Sequence, residues 1–291
     1  MPTRNEVLLA GLDPATMRGV EIGPFYAPIA PRSGGWHTLV LDSYDGERLR
    51  DIALAHPSDD IRSRVDAIED VDVVWAGQPL DQLPILVERG PFDYVIASHV
   101  IEHIPDLVCF LQGVGAVLAP EGVVCLAVPD SRYCFDVFRP LTALPAVLAA
   151  HRARRTRHAP ETLLEQVAYA TLRDSAGAWL KPSRGVVSLQ STLAAGHAYY
   201  RTLVDAEADP EAEYVDAHAW VFVPASFELL ILELGSLGLI DLVLVHLDDD
   251  TQGSEFFARL ARSTERPEEG ALEVRRLELL HEARSQAIGA L

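Results

Sequence analysis

Over its first 130 residues this chain alternates short apolar runs with stretches of helical periodicity, a rhythm that few architectures tolerate. Repeated βα units set parallel strands side by side and pack helices on their faces. Apolar runs at 18–23, 36–42, 71–76, 92–98 and 123–128 predict five strands. Helices are expected over 46–55 and 106–118, and Pro120-Glu121-Gly122 is expected to turn the chain into the fifth strand. The alternation then stops. Residues 131–216 are mostly helical in pattern, with loops marked by Pro140, Pro160, Lys181-Pro182-Ser183 and Asp209-Pro210. Sheet signals resume with a helix over 225–238 and strands over 239–247 and 255–261, the last two antiparallel across the break at 248–253. This organisation divides the chain into 1–130, an insertion at 131–216, a completion of the sheet at 217–262 and a helical tail at 263–291. Periodic Leu272, Leu277, Leu280 and Ala283 suit either a partner helix, as in a homodimer, or a fold-back onto the sheet.

Charge narrows the partners. With 24 basic against 43 acidic residues the net charge is −19, a field that repels polyanions, so no nucleic acid is expected as substrate. The one basic run, His151 to His158, suits a solvated helix face better than a phosphate grip. No apolar stretch approaches the roughly 20 residues needed to cross a bilayer, so no membrane partner is expected. The first residues lack the layout of a signal peptide, which predicts a cytoplasmic protein. Cys109, Cys125 and Cys134 form no CxxC pair and offer no zinc spacing, so they are expected to pack as small hydrophobes and no metal is expected.

Open parallel sheets bind ligands beyond the carboxyl ends of their strands, so chemistry is expected just after each strand. Four strand ends carry suitable residues. After the first come Glu21, Gly23, Pro24, Phe25 and Tyr26; a glycine there admits close backbone approach, and Glu21 could accept from an ammonium group through water. Asp42 ends the second strand 21 residues after Glu21, where a carboxylate can take both hydroxyls of a ribose. Gly77 and Gln78 follow the third and could frame an adenine edge. The polar cluster Ser98-His99-Val100-Ile101-Glu102-His103 follows the fourth.

Together, Val20–Pro24, Leu39–Asp42 and above all Phe92 to Pro129 resemble the class I S-adenosylmethionine-dependent methyltransferases, in particular their small-molecule branch. The segment Ala119-Pro120-Glu121-Gly122 resembles the family's Pro-Gly-Gly approach to the fifth strand, with Glu121 where glycine is common. The resemblance implies a Rossmann-like, mostly parallel seven-stranded sheet with a helical insertion after the fifth strand, and S-adenosylmethionine as cofactor. It implies Glu21 and Gly23 near the methionine part, Asp42 on the ribose, Gly77 and Gln78 near adenine, and Ser98 with His99 close to the sulfonium. The departure is the first loop, where the family's further glycines are replaced by Pro24-Phe25-Tyr26-Ala27-Pro28. An aromatic face of Phe25 or Tyr26 against the sulfonium is one consequence; a reshaped pocket is the other.

Methyl transfer to oxygen or nitrogen of a small molecule needs in-line alignment and, for a hydroxyl, removal of a proton. Histidine is the usual base. Candidates are His99, His197 and His218, with Tyr133 and Arg132 placed to meet a phenolic or carboxylate acceptor. Aminocarboxypropyl transfer from the same cofactor, and a non-catalytic interaction module, are the competing expectations.

Overall fold

The structure is a computed structural model describing residues 3–180, 185–207, 209, 212–249 and 253–288. The short helix α1 (Arg4–Leu8) is opened by Thr3, whose side chain accepts from the Glu6 amide while the Glu6 carboxylate accepts from the Thr3 amide. Then come β1 (Arg18–Ile22), β2 (His37–Asp42), α2 (Gly46–Ala55), α3 (Asp59–Ser63), β3 (Val73–Val74), α4 (Pro84–Arg89), β4 (Phe92–Ser98), α5 (Leu107–Val117) and β5 (Leu118–Pro129). Asp45 and Asp106 cap α2 and α5 through side-chain bonds to Arg48 N and Cys109 N, which is why those helices start where they do. The insertion holds α6 (Leu144–Arg152), α7 (Pro160–Tyr169), β6 (Thr171–Arg173), β7 (Val187–Leu189) and α8 (Leu193–Ala206). Last are α9 (Pro224–Ser236), β8 (Leu242–Asp248), β9 (Glu255–Arg262) and α10 (Glu269–Ile288).

Seven strands form one sheet in the order β3-β2-β1-β4-β5-β9-β8, parallel from β3 to β5 and antiparallel at β9 and β8. The architecture is the Rossmann-like sheet expected. Strand order reverses between β1 and β4, so the crevice at their carboxyl ends is the natural ligand position. Three local readings need correction. The third strand is two residues long rather than six. The Pro120–Gly122 turn is absorbed into β5 as a register shift against β4. Within the insertion, beside its helices, β6 and β7 pair as an antiparallel ribbon. The tail α10 folds onto α9 rather than the sheet, seating Leu279 and Ala283 beside Val223 and Ala225. Arg275 and Arg276 pair there with Glu228 and Glu233, while Val274, Leu277 and Leu280 stay exposed. The predicted loop at Lys181-Pro182-Ser183, Pro210 and residues 250–252 of the last turn lie outside the described residues.

Side chains alternate across the sheet, so each strand feeds two cores. Val20, Ile22, Leu39, Leu41, Val95, Ala97, Val124 and Leu126 join the larger one, against α4, α5 and α9. Tyr94, Ile96, Cys125, Ala127 and Phe257 point the other way, where Leu8, Ile29 and Ala30 cover them. That second face is thinly clad, since the chain crosses from β1 to β2 with only a 3-10 turn at Arg32–Gly34. Gly19 sits on this face because nothing larger fits: a Cβ there would stand 2.0 Å from the Tyr94 ring. Tyr94 is fully buried, with its hydroxyl 2.7 Å from Thr38 Oγ1, so it has nowhere to retreat. Gly19→Ala is expected to cost about 3 kcal/mol or more in urea unfolding, by overpacking. A double variant with Tyr94→Ala should recover part of that loss, and purely additive losses would contradict this account. All three cysteines are free thiols, Cys125 and Cys134 buried. Among the described residues no helix is long and apolar enough to cross a membrane.

Candidate functional site

Strand register brings the expected tips together. Ile22 pairs with Leu41 and Ala97, so Gly23, Asp42 and Ser98 follow one another along one edge of the sheet. Alternation then decides their faces. Glu21, Asp42 and Ser98 lie on the thinly clad face, because Ile22, Leu41 and Ala97 point into the larger core.

Glu21 is 1% exposed and turned inward, its carboxylate accepting from the amides of Ile29 at 2.6 Å and Ala30 at 3.0 Å. It anchors the segment that covers this face. Burial raises its pKa from 4.5 to about 7, opposed by those two amides and helped by nearby Glu69. The folded state therefore holds the proton to a higher pH than the unfolded chain. This contribution to stability is complete below about pH 4.5 and drains away as pH rises through about 7, a loss of about 3 kcal/mol. Urea midpoints at about pH 5 and pH 8 should show that fall in the wild type and a smaller one in Glu21→Gln; equal falls would remove Glu21 as the cause.

Asp42 is 7% exposed; Oδ2 accepts from the Phe25 amide at 3.1 Å and Oδ1 from the Ser43 amide at 2.7 Å. Each oxygen keeps a lone pair for another donor. Burial, outweighing these two bonds, holds its pKa above the usual carboxylate range. Pro24 accepts from the Ala27 amide, and Phe25, at φ +43°, swings its ring edge-on to Tyr26. Both rings pack beside Leu49, Ala53 and Ile68. Gly77, at φ +87°, has open space where a Cβ would stand, and Gln78 folds back to accept from the Ala76 amide. A cleft of about 630 Å³ runs beside this loop, lined by Tyr26, Pro28, Arg32, Arg50 and Arg64 among others; none of Gly23, Asp42, Gly77 or Ser98 lines it.

At the β4 end, Arg4 of α1 donates to Ser98 Oγ and, from Nε, to Glu255 Oε1 at 2.8 Å. His99, at φ +53°, meets Glu255 Oε2 through Nε2 at 2.8 Å. Burial tends to raise the Glu255 pKa, but His99 and Arg4 outweigh it and hold it low. Arg4 and Glu255 were not anticipated, because each meets Ser98 or His99 only through the fold.

Past His99 the chain enters a 3-10 turn, Ile101–His103, that buries Glu102. Both Glu102 oxygens lack a hydrogen-bond partner, although the residue is 1% exposed. The segment carrying His218 runs alongside, Ala219 N donating to Glu102 O at 2.6 Å. Trp220, two residues beyond His218, is buried and donates from Nε1 to Ile104 O at 2.6 Å, which makes it a packing residue. His218 Nδ1 lies 2.6 Å from Asp136 Oδ2, and Asp136 is clamped by buried Arg139 at 2.7 Å. Burial would raise the Asp136 pKa, yet His218 and Arg139 together keep it low. His103 Nδ1 lies 2.8 Å from Asp216 Oδ2, in an ion pair not aligned as a hydrogen bond. The two imidazoles meet edge to face at 4.8 Å. Glu102, His103 and His218 thus converge, which no spacing along the chain announces.

Arg132 is locked on buried Asp130 through Nε and Nη2, its guanidinium 5.3 Å from the Tyr133 ring. His197 is exposed on α8, which packs on α7, and stacks near Tyr200.

A family model described as "Methyltransferase domain" matches residues 7–222. No curated protein matches the chain. Among solved structures it is similar to the CcbJ methyltransferase from Streptomyces caelestis, with 12% identity, TM-score 0.44, and 90% of this chain and 97% of that chain covered. An S-adenosylmethionine-dependent methyltransferase from Mesorhizobium loti gives 14%, 0.41, 89% and 98%. A protein provisionally named a zinc-dependent alcohol dehydrogenase, from Rhodobacter sphaeroides, gives 13%, 0.45, 90% and 90%. Likenesses this distant carry no argument about activity.

Proposed function

Because the chain belongs to the methyltransferase domain family, whose model spans residues 7–222, we propose that it moves the methyl group of S-adenosylmethionine to an oxygen or nitrogen of a small molecule. The observation that carries this reading is the row of Gly23, Asp42 and Ser98 at the strand-order reversal, beside two carboxylate-backed imidazoles. The residues fit the cofactor. Asp42 would accept from the ribose hydroxyls with its remaining lone pairs, Gly77 and Gln78 would border adenine, and Gly23, Pro24 and Phe25 would border the amino-acid end. Ser98 and His99 would lie near the sulfonium, with Arg4 as a cation for the cofactor's carboxylate. When bound, the cofactor supplies a sulfonium methyl that leaves as the carbon–sulfur electron pair returns to sulfur.

The chain's own part is alignment and proton removal. His218, with Nδ1 turned to Asp136, presents Nε2 as the lone pair that takes the acceptor's proton. The insertion at 131–216 would close over the acceptor, with Tyr133 against it. The net charge of −19 disfavours a polyanionic acceptor and supports a small one. Incubation with S-adenosylmethionine and a panel of phenols, amines and carboxylates tests the reading: release of S-adenosylhomocysteine supports it. Methylthioadenosine as product would replace it by aminocarboxypropyl transfer, and calorimetry showing no adenosyl ligand bound would replace it by an interaction module.

A further inference from the structure

A buried carboxylate without hydrogen bonds is a costly thing to keep. Glu102 is such a group: 1% exposed, neither oxygen hydrogen-bonded, with His99 Nδ1 at 3.5 Å and His103 Nε2 at 3.8 Å facing its Oε1. A cation drawn into that space would repay the burial.

The neighbouring imidazoles are arranged for one. Metal-binding histidines as a rule turn their second ring nitrogen to a carboxylate, which fixes the tautomer and raises ligand basicity. Here His218 Nδ1 is hydrogen-bonded to Asp136 at 2.6 Å, and His103 Nδ1 stands 2.8 Å from Asp216 Oδ2. Nε2 is the atom each has left to offer. One ligand atom from each of Glu102, His103 and His218 lies within 4.8 Å of the others. Donors around a tetrahedral zinc stand about 3.4 Å apart, so the trio needs to close by about 1.4 Å. His103, whose side chain is 32% exposed, has room to make that movement.

We propose that Glu102, His103 and His218 form a binding site for one divalent cation of the zinc and cobalt class, oriented by Asp136 and Asp216. Two imidazoles and a carboxylate leave a coordination position open, as catalytic sites do, and nitrogen donors favour these metals over magnesium or calcium. The site lies beyond the β4 tip, where the acceptor is placed above. A hydroxyl on the open position would ionise more readily, as metal-bound water does, so with the cation bound His218 serves as a ligand and the proton passes to solvent, whereas in the metal-free protein His218 Nε2 remains the base. Only this consequence rests on the methyl-transfer reading; the binding itself does not.

Cobalt(II) titrated into chelator-treated protein is expected to saturate at one equivalent, with visible absorption of a low-coordinate site, and to be displaced by zinc. His103→Ala, at a half-exposed position, and Glu102→Gln should abolish the signal, whereas His197→Ala on α8 should leave it unchanged. Asp136→Asn should weaken binding about 10- to 100-fold. Absence of saturable cobalt binding would overturn the site, as would equal affinity in His103→Ala and wild type. Methyl transfer that survives chelation with no cobalt signal would remove the metal and leave the activity; bound cobalt in a protein that produces no S-adenosylhomocysteine would do the reverse.

Discussion

His218→Ala is expected to lower kcat for methyl transfer about 10²- to 10⁴-fold, the span of general base catalysis, with the cofactor's dissociation constant nearly unchanged. The size follows from how firmly the imidazole is held. Asp136 Oδ2 sits 2.6 Å from Nδ1, Asp136 is itself 2% exposed, and Arg139 braces it at 2.7 Å. Asp136→Asn keeps the shape but can donate where the carboxylate accepts, so it should favour the wrong tautomer and lower kcat as well. It also leaves the fully buried Arg139 guanidinium with Glu165 as its one charged partner among the described residues, so a lower melting temperature is expected alongside. Release of S-adenosylhomocysteine, with any acceptor that supports turnover, provides the rate. An unchanged kcat in His218→Ala would move proton removal elsewhere, and His99 would be next.

Asp42→Ala is expected to weaken S-adenosylmethionine binding about 10- to 150-fold, the equivalent of about 1.5–3 kcal/mol for charge-assisted hydrogen bonds. Two effects act together. The ribose loses its acceptor, and the amides of Phe25 and Ser43 lose theirs, so the loop after β1 loosens. Asp42→Asn separates them: it keeps one oxygen for the loop while removing the charge, and should fall between wild type and alanine. Isothermal titration measures both. If alanine binds as tightly as wild type, the sugar is not at the β2 tip and the cofactor's placement is wrong, whatever the reaction.

Much of the framework was legible because it is written in local pattern. Short, nearly continuous apolar runs mark β1, β2, β4 and β9 nearly to the residue, since a strand packed against two cores must be apolar on both faces. The helices over 46–55 and 106–118 were read nearly to their ends, and Asp45 and Asp106 fix their starts through the capping bond a helix start needs. The two-residue β3 was overestimated because Val71 to Ala76 is apolar enough for a strand, yet its ladder register pairs only Val73 with Leu41 and Val74 with Asp42. The β6–β7 ribbon was missed because three-residue strands are too short for periodicity to register.

What the sequence by itself determined is the succession of strands and the residues that end them, Gly23, Asp42 and Ser98, because strand and cap signals lie within a few neighbours along the chain. Tertiary structure alone decided what those residues face. Glu21 turns inward because the helix-free crossing to β2 lays Ile29 and Ala30 over it. Arg4 reaches Ser98 and Glu255 because α1 lies across the tips. Glu102 and His103 meet His218 because the segment entering α9 runs beside their turn. Such meetings are settled by which loops share an edge of the sheet and which side chains packing forces together, and neither leaves a trace in local spacing.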